Sequence, residues 1–158
     1  MDKKIAIILL VFAFLAGFSF QNKIKPETEI PYGIHSTGLA PSDWIPQDKI
    51  RVYRNHIRID LSNARWSNFT GTNSMIPVLS PKSNAIQIKP QYEEDIKIGD
   101  IISFRNKITN RRIIHRVIGI GNDVKGKYFL TKGDFNEEED GIKVRFEDIE
   151  RITVAVIY

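Results

Sequence analysis

From Lys49 onward, apolar and polar side chains alternate with a period of two. Successive side chains of a strand point to opposite faces, so this alternation marks half-buried β-structure. Ile50 and Val52 alternate with charged residues, Arg54-Asn55 makes a turn, and Ile57, Ile59 and Leu61 alternate again, which predicts a hairpin. A short alternating run over 85–89 stops at Pro90. Residues 101–104, 113–120, 128–131 and 152–158 read as further strands. Gly99-Asp100, Gly121-Asn122-Asp123 and Asp140-Gly141 supply turn residues between them. No stretch after the first twenty or so residues sustains a 3.6-residue period. The fold expected over 49–158 is therefore mainly β, an antiparallel domain.

The pattern is different ahead of Lys49. Residues 22–48 are polar and broken by Pro26, Pro31, Pro41 and Pro46, a spacing that no helix or long strand survives. They read as a tether whose end is tucked in at Trp44 and Ile45. Before them, Asp2-Lys3-Lys4 precedes an uncharged apolar run over 5–20. As a helix that run would be about 24 Å long, against a bilayer core of about 30 Å. It is read as one N-terminal transmembrane helix, a membrane anchor over 1–21. The alternatives are a cleaved signal segment, cut before Phe20, and a buried core helix. Lys3 and Lys4 hold its start in the cytoplasm, which puts the rest of this single-pass chain outside the cell membrane.

Composition narrows the chemistry. The 158 residues are 42% hydrophobic, enough for one cored domain. The net charge of +4 comes from scattered groups, with no basic stripe, so no nucleic-acid partner is expected. There is no cysteine, which excludes a disulfide framework, thiolate zinc and cysteine catalysis. His35 in the tether, His56 beside a turn and His115 are too dispersed for a metal site, and no cofactor is expected. Asn68-Phe69-Thr70 is a glycosylation sequon of a length common by chance.

The remaining signal is a constellation. Ser74 precedes a proline-containing turn, and His115 follows 41 residues later in an apolar strand, on one face with Ile113 and Val117. Asp134 comes next, then Asp140 six residues beyond it. A histidine that takes a hydroxyl proton, held in one tautomer by a carboxylate, lets a serine attack an amide. Each residue alone has a plainer reading: a turn serine, a core histidine, a solvated acidic loop around Glu137-Glu138-Glu139-Asp140. Asp134 and Asp140 compete as the orienting carboxylate, and Lys132 is a rival base for a serine–lysine dyad.

These residues carry a resemblance. Thr72-Asn73-Ser74-Met75-Ile76-Pro77 resembles the nucleophile box of type I signal peptidases, Ser-x-Ser-Met-x-Pro. Gly99-Asp100-Ile101-Ile102, Ile114-His115-Arg116-Val117 and Thr131-Lys132-Gly133-Asp134, with Asp140 after it, are similar to the boxes that follow. Histidine rather than lysine before Arg116 is the pattern of the archaeal and endoplasmic-reticulum type. The likeness covers roughly residues 70–158. Thr72, Asn73 and Phe135 stand where serine, glycine and asparagine are usual.

The resemblance implies a signal-peptidase-like catalytic domain and assigns roles. Ser74 is the nucleophile, His115 the base, Asp140 its orienter, and Asp134 a structural or electrostatic support. The Ser74 N–H and the Thr72 hydroxyl form the oxyanion hole, and Met75 and Pro77 belong to the substrate-binding side. The implied activity is a membrane-bound serine endopeptidase that removes signal peptides from exported preproteins after small residues. Its partners are those signal peptides and membrane lipid, with the export translocon a further candidate. The competing expectations are a catalytically silent, membrane-anchored β-rich binding or assembly module, and a soluble serine–lysine autoprotease.

Overall fold

A computed structural model describes residues 39–69 and 71–158. The expected membrane helix over 5–20 and most of the tether lie outside the described residues. Among the described residues no helix is long and apolar enough to cross a membrane.

The described chain is mainly β. The hairpin comes first: β1 (Ile50–Val52) pairs antiparallel with β2 (Ile57–Ile59), Ile50 facing Ile59 and Val52 facing Ile57. Six strands then build one antiparallel sheet: β3 (Arg65–Asn68), β4 (Asn84–Ile88), β5 (Ile101–Arg105), β6 (Arg112–Asp123), β7 (Gly126–Lys132) and β8 (Ile149–Ile157). Their spatial order is β3-β4-β8-β5-β6-β7, so the last strand enters the middle of the sheet.

Alternation along these strands buries two layers. Ile102, Phe104, Val117, Phe129 and Ile152 form the main core with Ile96, Val144 and Ile149. A smaller cluster joins Ile101 to Met75 and Leu79 from the loop between β3 and β4, with Ile114 and Val156 packed against it. That second cluster seats the loop carrying Ser74 on the sheet.

Two expectations change. First, β3 has no counterpart in the sequence pattern, because Arg65-Trp66-Ser67-Asn68 lies at the sheet edge with one face open and Trp66 largely exposed. Second, the domain does not begin at 49. Ala40 packs against Gly99, where its carbonyl oxygen lies 2.0 Å from the place a Cβ would take, and Gly99 has φ of +104°. No other residue fits there. The Ser42 N–H donates to Asp100 Oδ1 at 2.7 Å, the Lys97 N–H to Oδ2 at 2.9 Å, and Trp44 packs on the main core. Residues 39–48 are therefore held against the body by these contacts, Trp44 among them. Asp100 has lost its water entirely, and these backbone donors replace it.

Candidate active site

His115 lies on β6 opposite Ile102 of β5. On its other side β6 is paired with β7 only from Arg116, which faces Lys132. The loop that follows Lys132 turns onto the Ser74 turn: the Phe135 N–H donates to the Ser74 carbonyl at 2.9 Å. Gly133 sits so close that a Cβ would lie 2.6 Å from that carbonyl oxygen. Residue 133 must be glycine for this contact to exist.

Three side chains then meet in a row. Ser74 Oγ is 3.1 Å from His115 Nε2. His115 Nδ1 is 2.8 Å from both carboxylate oxygens of Asp140. A carboxylate only accepts, so Nδ1 carries the hydrogen and Nε2 is left as the acceptor for the serine proton. Asp140 is held from two sides, since the Thr131 hydroxyl donates to Oδ2 at 2.5 Å and the Asp140 N–H donates to the Thr131 carbonyl at 2.9 Å. The His115 ring is buried, which shields its two bonds from competing water.

Asp134 does something else. Arg116 grips it with two hydrogen bonds of 2.7 Å, from Nε and Nη2, and donates a third from Nη1 to the Gly99 carbonyl at 2.8 Å. That ion pair braces the loop whose backbone holds Ser74. Thr72 Oγ1 lies 3.4 Å from Ser74 Oγ, near the reacting atom. Among the described residues the Ser74 N–H makes no backbone hydrogen bond. Lys132, in register with Arg116, points to the face opposite Thr131, and no hydrogen bond joins it to Ser74 among the described residues.

Met75 is a core residue that shows part of its surface to the cavity beside Ser74, whereas Pro77 does not line that cavity. The chain turns outward after Met75 and leaves Pro77 exposed. The departures from the nucleophile pattern have local reasons. Asn73 has φ of +57°, in the left-handed region that asparagine tolerates better than most residues. Phe135 uses only its backbone, and its ring is exposed.

The cavity has a volume of about 690 Å³ and runs from Ser74 and His115 across β3, β4, β8 and β5. Its floor is polar: Ser67 donates to Gln87, and Gln87 to Thr153, at 2.8 and 3.1 Å. Glu150 lies in its wall. Burial opposes ionisation there, but Arg112 and Arg105 outweigh it and hold the carboxyl below its usual range.

Sequence reasoning missed Thr131, Arg116 and Gly133 as working parts of the site. Thr131 faces Val117 across the sheet and so shares a face with His115, a cross-strand register that the sequence alone does not carry. No group of acidic or histidine side chains among the described residues is arranged to hold a metal ion. No protein-family model, curated protein or solved structure matches this chain.

Proposed function

We propose that this protein is a serine endopeptidase of the signal-peptidase kind, anchored in the cell membrane with its catalytic domain outside. The observation that carries the reading is the row Ser74–His115–Asp140, linked by bonds of 3.1 and 2.8 Å at one end of an open cavity. His115 Nε2 takes the Ser74 proton as Oγ attacks the scissile carbonyl. Asp140 keeps the imidazole turned and stabilises the imidazolium that forms. His115 then returns the proton to the leaving amine, and water repeats the sequence on the acyl-enzyme. The Ser74 N–H, with the Thr72 hydroxyl, receives the charge that develops on the carbonyl oxygen.

The substrate fits as an extended strand. Val117 bonds toward β5, so by alternation Ile113 and His115 do too, and Arg112 and Ile114 turn their N–H and C=O groups to the unpaired edge of β6. That edge lines the cavity and leads to Ser74, which suits addition of one peptide strand. The preference for a signal peptide and for small residues before the cut rests on the motif resemblance.

Membranes containing the wild type or Ser74→Ala, incubated with a preprotein bearing an Ala-x-Ala site, test the proposal. The wild type should release a mature chain whose new N-terminus follows that site, and Ser74→Ala should release none. Equal cleavage by the two membranes would overturn it.

A further inference from the structure

The cavity that begins at Ser74 is not neutral further along. Arg65, Arg111, Arg112 and Arg151 line it, and among the described residues Glu150 is the only acidic one that does. Antiparallel pairing through β4 and β5 makes β3, β8 and β6 run in one direction. Arg65 is the first residue of β3, Arg112 the first of β6, and Arg151 the third of β8. The cations thus cluster from three strands, and Glu150 is shared by Arg112 and Arg105. Among the described residues Arg65 and Arg111 have no carboxylate partner. Burial, and after it the charge of Arg65, holds the Arg151 guanidinium below its ordinary value, so these charges feel one another across the space. Such an arrangement is costly when empty of anions and favourable when one enters.

Position gives the site its meaning. Arg112 is three residues from His115 along β6, a rise of about 10 Å. A peptide lying along that edge advances at the same pitch. We propose that the arginine-walled part of the cavity is a subsite for an acidic side chain of the substrate, about three or four residues from the bond that is cut. This inference rests on the peptidase reading for its register, but the binding preference can be measured without cleavage.

The full chain in detergent, carrying Ser74→Ala, is titrated with fluorescein-labelled peptides spanning a small-residue cleavage site. The peptides carry Asp or Asn at the third to fifth position on one side of that site or the other. On one of the two sides the Asp peptide should bind about tenfold more tightly than its Asn counterpart. The advantage should shrink at 0.5 M salt, roughly the range where screening shortens to a few ångströms. Arg65→Gln with Arg111→Gln should bring the Asp-to-Asn ratio close to one. In the wild-type background the same ratio should reappear as a lower KM. If peptides bind with that preference but none is cleaved, the peptidase reading fails and the acidic subsite stands. If cleavage occurs and neither side shows a preference for Asp, the subsite is wrong. Binding of phosphatidylglycerol vesicles through these arginines, with no preference among peptides, would also overturn it.

Discussion

Replacing Asp134 by asparagine removes one half of an almost fully buried ion pair while the other half stays. The Arg116 and Asp134 side chains are 10% and 14% exposed, and both their bonds are 2.7 Å. Breaking such a pair from one side typically costs about 3–5 kcal/mol, because a desolvated charge is stranded. Two features move the expectation to the low end. Arg116 keeps its bond to the Gly99 carbonyl, and asparagine keeps one acceptor oxygen. A loss of about 3 kcal/mol corresponds to roughly 10–15 °C in melting temperature for a domain of this size. Near-UV circular dichroism of the detergent-solubilised chain measures it. Removing the charge from both sides, as Arg116→Met with Asp134→Leu, leaves no charge stranded, only the neutral Gly99 carbonyl, and should melt higher than Asp134→Asn alone. The reasoning fails if Asp134→Asn unfolds within about 1 kcal/mol of wild type, or if the two single losses simply add in the double variant.

Asp140→Asn should keep the fold and lose up to ~10⁴-fold in rate, the scale seen when a triad carboxylate becomes an amide; near-normal turnover of a model preprotein would remove Asp140 from the mechanism. Ser74→Ala and His115→Ala should be equally inactive, and the double variant no worse, since such residues act as a unit. Lys132→Ala should cleave like wild type, and a dead Lys132→Ala beside an active His115→Ala would restore the serine–lysine alternative. Gly133→Ala pushes a Cβ to 2.6 Å from the Ser74 carbonyl oxygen, so kcat should fall about 100-fold, as expected for a displacement near 1 Å, while the circular dichroism spectrum is unchanged. Asp123, bonded by Arg145 and Lys143, is held below its ordinary carboxylate range by those cations. Its contribution is present above about pH 4 and is lost as the pH falls toward the depressed folded value. Urea midpoints of wild type and Asp123→Asn should therefore differ at pH 6, and the gap should narrow steadily as the pH falls below about 4.

Much of the fold is legible because half-buried strands write their period into the chain. Both strands of the first hairpin, and β4 to β8, announce themselves through residues such as Ile57, Ile88, Phe104 and Ile152, whose neighbours on either side are polar. β3 is silent for a physical reason. An edge strand open on one face has little apolar surface to bury, and its place is set by its partner β4 rather than by its own residues. β6 runs through Gly121-Asn122-Asp123 instead of turning there, because the reversal falls at Val124-Lys125, ahead of Gly126 with φ of +100°. In the site, order and spacing were enough to nominate Ser74, His115 and two aspartates, but not to divide the aspartates between roles on geometry. That division depends on Thr131 and Arg116, each of which selects one carboxylate. The arginine-lined cavity was illegible, since its cations come from strands far apart in sequence and look like ordinary surface charges there.

The contact between Ala40 and Gly99 has a mechanical consequence. The chain arriving at residue 39 is pinned to the Gly99-Asp100 turn through Ser42 and the missing Cβ. The same turn is grasped from the other side by Arg116, which holds Asp134, the residue immediately before the Phe135 N–H that fastens Ser74. Residues 39–42 and the nucleophile turn are therefore joined by a short series of polar links, so a substitution that loosens the first of them is expected to be felt at the Ser74 turn as well.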